Sequence, residues 1–161
     1  MAMVDRPYPC DHAFIEEVMT KELAKKNFQV TFVMRSESEP AEAFLQWNRS
    51  EVFIIQGGNY RSLKNTIINL IGLLSSYSAL KRIVKNNGID ALFVRNDPIM
   101  GLMGIRLART FRLPLFFQIS HLKEEELIDC SRKGLLPNRF LSPLKGYMGV
   151  FLRRLIVARS S

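Results

Sequence analysis

The chain has 161 residues, 47% of them apolar, and its 23 Lys and Arg residues outnumber its 15 Asp and Glu residues to give a formal net charge of +8. A chain of this length and composition can bury a hydrophobic core of its own, which excludes an intrinsically disordered protein and a small fold held by disulfides or a structural metal. Cys10 and Cys130 lack the paired spacing of a zinc module or a disulfide framework, so the sequence predicts a reducing compartment, the cytoplasm. No uninterrupted apolar stretch reaches the roughly 18 residues of a membrane span.

The first elements predicted from the sequence are a strand, a helix and a strand. Met1–Val4 is a short apolar strand that the following prolines are expected to end. A helix with one apolar stripe is predicted between residues 11 and 27. The β-branched and aromatic run Phe28–Met34 predicts the second strand, and the polar run Arg35–Glu39 is expected to lead away from the sheet.

A hairpin and a long helix are predicted next. Ala43–Trp47 and Glu51–Gln56 have strand composition and flank the short polar turn Asn48–Ser50. Leu63–Lys85 predicts an apolar helix whose uncharged middle we interpret as buried against a sheet, because asparagine and serine residues interrupt it and disfavour a membrane span.

The most informative stretch is a strand-helix-strand unit. Asp90–Val94 and Pro114–Ser120 are near-continuous apolar strands, and the helix Pro98–Phe111 joins them after the polar turn Arg95–Asp97. Such units pair their strands in parallel with a right-handed crossover. The predicted fold is therefore one α/β domain over 1–161, with a Rossmann-like, doubly wound, mostly parallel sheet and an added β-hairpin.

Three of the predicted strands are expected to be interior strands of that sheet, since they are apolar on both faces; they contain Phe28, Phe93 and Phe116. Two helices complete the chain. The first begins at Lys123 with three glutamates that we interpret as a solvated face. The last, from Pro143 to about Ala158, combines an apolar stripe with basic residues, a pattern typical of core packing, which we favour, or of adsorption to an anionic membrane surface.

The basic residues lie on predicted helices, without the aromatic platform that single-stranded nucleic acids stack upon. We therefore predict no nucleic-acid partner.

Ligands of open parallel sheets bind beyond the carboxyl ends of the strands. Three loops of this chain are expected there, Asp5–His12, Arg95–Asp97 and Ser120–Lys123, and they hold both histidines. Each loop precedes a helix N-terminus, where backbone N–H groups favour an anion, so we expect a phosphorylated or nucleotide ligand. The candidate binding residues are Asp11, His12, Arg95, Asn96, Asp97 and Ser120.

Asp97 also has a purely structural explanation that we favour. Aspartate is a preferred N-cap residue and proline is preferred at the first helical position, so Asp97-Pro98 is expected wherever a helix begins.

Two runs of the chain, Asp90–Leu102 and Leu113–His121, resemble the N-terminal, acceptor-binding half of family 4 glycosyltransferases of the GT-B type. In that family a strand ends in a polar turn with Asp-Pro opening a helix, and the next strand ends in a histidine at the active-site cleft. The opening 6–9, the helix at 14–23 and the strand at 28–34 are similar to the family's first strand-helix-strand unit. His121 matches the family's histidine. The family's glycine pair is replaced by Cys10-Asp11-His12, and Asn96 stands where the family often has His.

The resemblance implies the N-terminal half of a two-domain enzyme that transfers a sugar, with retention, from a nucleotide-sugar to a lipid or glycan acceptor. It implies His121 as the catalytic residue facing the transferred sugar, no metal or other cofactor, and a second domain that holds the donor. That second domain, with its E-x7-E motif, has no counterpart in these 161 residues.

Two other classes share the predicted architecture. A flavodoxin-like ligand-binding domain would need a phosphate-cradling loop or an acidic cluster at the strand ends, and the sequence displays neither. A non-catalytic module that binds a membrane surface or a protein partner would explain the net charge and the last helix.

Overall fold

The structure, a computed structural model, describes residues 1–10, 12–36, 38–56, 67, 71–72, 74–120, 122–135 and 141–158, and at 5–7, 56, 123 and 141 it describes the backbone alone. The strands are β1 Ala2–Pro7, β2 Thr31–Ser36, β3 Phe44–Trp47, β4 Ser50–Gln56, β5 Leu92–Arg95 and β6 Leu115–Gln118. The first helix, α1, has a π-helical stretch, Phe14–Glu22, and a closing α-helical turn, Leu23–Lys25. The other helices are α2 Tyr77–Asn86, α3 Pro98–Phe111, α4 Lys123–Arg132 and α5 Leu141–Val157.

The six strands form one sheet in the order β3-β4-β2-β1-β5-β6, in which β3 alone is antiparallel to its neighbour. Helices flank both faces, so the predicted Rossmann-like, doubly wound, mostly parallel sheet is confirmed. The added hairpin is β3-β4, and it turns at Asn48 and Arg49, whose φ angles are 46° and 66°. Two consecutive positive φ angles are typical of the tight turn that matches the twist of paired strands.

The core lies in two layers, one on each face of the sheet. Helix α1 covers one face by packing Ile15 and Met19 on side chains of β1, β2 and β4. Helices α2 and α3 cover the other face, where Leu80 and Met100 join the core. Helix α3 lies close to the sheet because a Cβ at Gly104 would meet Val94 Cγ2 at 3.0 Å. Gly104 therefore permits this close packing of the helix on the sheet.

The first two strands extend further than predicted. β1 runs to Pro7 after an irregularity in its pairing with β2, and the Tyr8 N–H then donates to the Arg35 carbonyl at 2.7 Å. β2 begins at Thr31 and continues through Arg35 and Ser36, both buried, whereas Phe28 lies outside it and is 62% exposed. The prediction that residue 35 leads away from the sheet is wrong, because the arginine finds a buried carboxylate.

The prediction that β6 is an interior strand is also wrong. Within the described part of the chain β6 pairs with β5 alone, so it is an edge strand, and Phe116 is 58% exposed. An apolar run of this kind fits a strand covered on both sides. The composition of this segment therefore predicts a strand, but it does not predict whether a further strand pairs with its second edge.

The long helix predicted at 63–85 is only partly described. Its last nine residues, together with Asn86, form α2, and Gly88, with φ +58°, follows the end of that helix. Before α2, Ile67, Ile71 and Leu74 are 57–62% exposed, so the expected burial of this apolar stretch against the sheet is wrong at those three positions. In the described residues no helix is both long and apolar enough to cross a membrane.

Helices α4 and α5 form an antiparallel pair joined by a partly buried ion pair network. Arg153 of α5 donates to Glu124 at 3.2 Å and to both carboxylate oxygens of Glu125. The hydrogen bond from Arg153 lowers the pKa of the Glu125 carboxyl. The predicted solvated face of α4 is therefore wrong at Glu124, whose side chain is 15% exposed beside a cation of the facing helix, whereas the side chain of Glu125 is 40% exposed.

Candidate functional site at the carboxyl edge of the sheet

The parallel strands β2, β1, β5 and β6 end side by side, which brings several of the predicted site residues to one edge. His12, Arg95, Asn96, Asp97 and Ser120 all lie there. Asp11 and His121 fall outside the described residues, so their placement stays a prediction.

The centre of this edge is a buried ion pair between two strand ends. Arg35, the fifth residue of β2, donates from Nη2 to Asp97 Oδ2 at 2.6 Å. Both side chains are about 95% buried. A pair this deep in the protein keeps its charge only if each partner is neutralised and hydrogen-bonded, so Arg35 and Asp97 fix the end of β2 against the start of α3.

Asp97 does the structural work that its position predicts. Its Oδ1 accepts from the N–H groups of Ile99 and Met100, each at 2.9 Å, and its carbonyl accepts from Gly101. The N-cap interpretation is confirmed. The expectation that this helix N-terminus offers backbone N–H groups to an anionic ligand is wrong, because the Asp97 carboxylate is itself the anion that occupies it.

Arg95, at the end of β5, links the sheet to the start of α1. It is 5% exposed, and its guanidinium lies over the Phe14 ring, 5.7 Å from the centroid. Its Nη2 lies 3.3 Å from Nε2 of His12. Because a guanidinium only donates, Nε2 accepts, and the proton of the neutral imidazole sits on Nδ1. That Nδ1 is buried and has no hydrogen-bond partner among the described residues.

Asn96 and Ser120 clamp the ends of β5 and β6 together. Asn96 Nδ2 donates to Ser120 Oγ and the Ser120 N–H donates to Asn96 Oδ1, both at 2.7 Å. Asn96 has a φ of 58°, a left-handed conformation that asparagine tolerates better than most residues. The clamp fixes the backbone of the residue immediately before His121. It also shows why asparagine suits this turn, since its side chain offers both a donor and an acceptor.

Two hollows among the described residues lie away from the centre of this edge. An open cleft of about 740 Å³ lies at the opposite, amino edge of the sheet, with an apolar lining that includes Phe14 and Phe28. A second hollow, of about 760 Å³, lies beside α4, and Ser120 is the only candidate residue on its wall. Neither hollow is lined by Arg35, Arg95 or Asp97, which are buried at this edge.

Sequence reasoning missed Arg35 as a residue of this edge. A basic residue directly after an apolar strand was the available signal, but a surface loop was the simpler interpretation. Its partner lies 62 positions away, so no local pattern joins the two.

No group of three or more His, Cys, Asp or Glu side chains in the described ranges is arranged to hold a metal ion. Comparison of the chain with models of protein families and with curated proteins gives no match.

Proposed function

We propose that this chain is the acceptor-side domain of a retaining glycosyltransferase that moves a sugar from a nucleotide-sugar to a lipid or glycan acceptor in the cytoplasm. The observation that carries the proposal is the Asn96–Ser120 clamp, which fixes Ser120, the residue before His121 in the sequence, on the edge that also holds His12 and Arg95. The resemblance of the runs 90–102 and 113–121 to family 4 glycosyltransferases supports it.

Each residue of the edge would have a role that follows from its chemistry. His121 would face the transferred sugar, where an imidazole can donate or accept one hydrogen bond. Arg95, which is 5% exposed, would hold the imidazole of His12 in place, and His12 would bind the acceptor. Asp97 would act only through the fold, because its carboxylate is taken up by Arg35 and by the start of α3.

A sugar transfer at this edge needs a second surface to exclude water from the reaction. In the proposed enzyme a second domain closes over it and holds the nucleotide-sugar. The 161-residue chain by itself is expected to fold, to bind a nucleotide-sugar weakly and to have no transferase activity.

The test uses the complete reading frame that contains this chain. Release of nucleoside diphosphate is measured over a panel of uridine, guanosine and thymidine diphosphate sugars with lipid and glycan acceptors. We expect His121→Ala to lower turnover at least a hundredfold while the melting temperature changes little, since loop side chains seldom carry the fold. Asn87→Ala, a change at an exposed position on the opposite edge, is the matched control and should retain full turnover.

Three results would refute the proposal. Turnover of His121→Ala close to that of the wild type would remove its catalytic residue. A reading frame without a second α/β domain, or donor binding by the 161-residue chain as tight as by the whole protein, would remove the two-domain mechanism.

A further inference from the structure

Helix α5 presents an apolar face to solvent. Leu144, Tyr147, Met148 and Phe151, called here the outer face, are 51–65% exposed. Their spacing of three and four residues places them on one side of the helix. The opposite side packs on α4 and α3, where Gly146 lies against Ile128 and the buried Ile156 lies against Gly101. Core packing, the interpretation favoured from the sequence, thus accounts for only one side of this helix.

Most of the net positive charge belongs to the part of the sequence that contains this helix. From residue 130 to the last residue there is no Asp or Glu, and seven basic residues give this segment +7 of the net +8: Arg132, Lys133, Arg139, Lys145, Arg153, Arg154 and Arg159. The charge excess is therefore a local property of one segment and not a general property of the surface.

The basic side chains are arranged at the margins of the outer face. At about 100° per residue, Lys145 and Arg154 lie on opposite sides of the stripe formed by Leu144, Met148 and Phe151. Arg154 is exposed and Lys145 is partly so. Arg132 of α4 donates to the Tyr147 hydroxyl at 2.9 Å, which places another cation beside the stripe.

Two of the four acidic residues of α4 are paired within the α4–α5 pair. Glu124 and Glu125 bind Arg153, so that arginine is not counted here as part of the outer surface. Glu126 and Asp129 of α4 border the hollow next to Ser120.

We propose that the outer face of α5 binds an anionic lipid surface, with its Leu, Met and aromatic side chains inserted at the level of the headgroups and Lys145, Arg154 and Arg132 against lipid phosphates. An apolar stripe with cations at both margins is the pattern of a helix that lies in a membrane interface, where long basic side chains extend to the headgroups. Charge complementarity favours anionic lipid over a second copy of this chain, which would bring two positive faces together. This proposal is independent of the proposed glycosyl transfer.

The experiment is co-sedimentation of the 161-residue chain with vesicles of 30% phosphatidylglycerol in phosphatidylcholine and with pure phosphatidylcholine. We expect at least tenfold tighter partition into the anionic vesicles at 0.05 M NaCl. The difference should shrink at 0.5 M NaCl, where charges are screened beyond about 4 Å. This comparison needs no variant, so it cannot fail through misfolding.

Matched variants locate the surface. Phe151→Ser should weaken partition at least fivefold, whereas Phe28→Ser, a phenylalanine of similar exposure on the opposite side of the sheet, should leave it unchanged. Lys145→Gln with Arg154→Gln should weaken partition about 25-fold, at about fivefold for each charge near the surface. Lys85→Gln with Arg109→Gln, which removes the same charge from exposed positions of α2 and α3, should have less than a threefold effect.

Partition that is equal for the two vesicle types would overturn the proposal. So would equal losses in Phe151→Ser and Phe28→Ser. If sedimentation velocity finds a dimer that Phe151→Ser dissociates, and the wild type does not bind vesicles, the outer face is an interface between copies and the proposal is wrong.

Discussion

Removal of the Asp97 charge should destabilise this protein more than any surface change, because Asp97 neutralises a guanidinium inside the sheet. Asp97→Asn keeps an N-cap residue of equal quality, so the Ile99 and Met100 N–H groups retain an acceptor. What it loses is the charge of the 2.6 Å pair with Arg35. The substitution therefore isolates the ion pair from the helix cap.

The expected magnitude follows from burial. Removing one partner of a buried ion pair costs about 3–5 kcal/mol, since the other charge stays in a medium of low polarity. The free energy of unfolding should therefore fall by about 3 kcal/mol in Asp97→Asn and by about 4 kcal/mol in Asp97→Ala, which also loses the cap. For a domain of this size the first value corresponds to a fall of roughly 6–12 °C in the melting temperature.

The assay is urea denaturation of the 161-residue chain and a double-mutant cycle with Arg35→Met. The double variant Arg35→Met/Asp97→Asn should be more stable than the sum of the single changes predicts, by at least about 1 kcal/mol, because both charges are then absent. Glu42→Gln is the matched control. Its pair with Arg82 spans 3.6 Å between largely exposed side chains, so its loss should cost less than about 0.5 kcal/mol.

A cost below about 1 kcal/mol for Asp97→Asn would refute the reasoning. So would a coupling energy near zero in the cycle, since Arg35 and Asp97 would then be neighbours without a mutual stabilising interaction.

Three further changes have expected outcomes. Gly146→Ala should lower the free energy of unfolding by about 1–3 kcal/mol in urea denaturation. The new Cβ would lie 2.6 Å from Ile128 Cγ1, so α4 would have to move. An unchanged denaturation midpoint would contradict the close packing. Asn96→Gly keeps the left-handed backbone but removes both hydrogen bonds to Ser120. This variant should exchange its amide hydrogens faster at residues 119–122, while the core strands exchange as before. Equal protection in variant and wild type would show that the clamp is not needed. Burial lowers the pKa of the Met1 amine to about 6, below its unfolded value of 8.0. Between these values the unfolded chain binds more protons than the folded chain, so the free energy of unfolding should rise by about 2 kcal/mol from pH 6 to pH 8. An N-acetylated chain is the control and should lack this rise.

Local sequence was enough to predict the elements whose causes are local. Asp97-Pro98 marks the start of α3, because an N-cap residue acts on the backbone that directly follows it. The polar run that contains Asn48 and Arg49 marks the hairpin, because a tight turn needs only a few adjacent residues. The near-continuous apolar strands predicted the sheet, and the strand-helix-strand order predicted its parallel direction. The residues at the carboxyl edge could be grouped from the same order, since parallel strands end on one side.

Tertiary structure decided what depends on partners distant in sequence. A charged residue at position 35 predicts an exposed position until a carboxylate 62 residues away enters the same buried space. The apolar run of β6 has the composition of an interior strand, but its neighbours decide that it is an edge. The apolar stripe on α5 has the spacing of a core helix, yet α4 and α3 cover only the side of α5 opposite that stripe. In each case the sequence determines whether a surface is polar or apolar. Whether that surface is buried depends on which other surface packs against it, and this packing is set by the free energy of the whole fold.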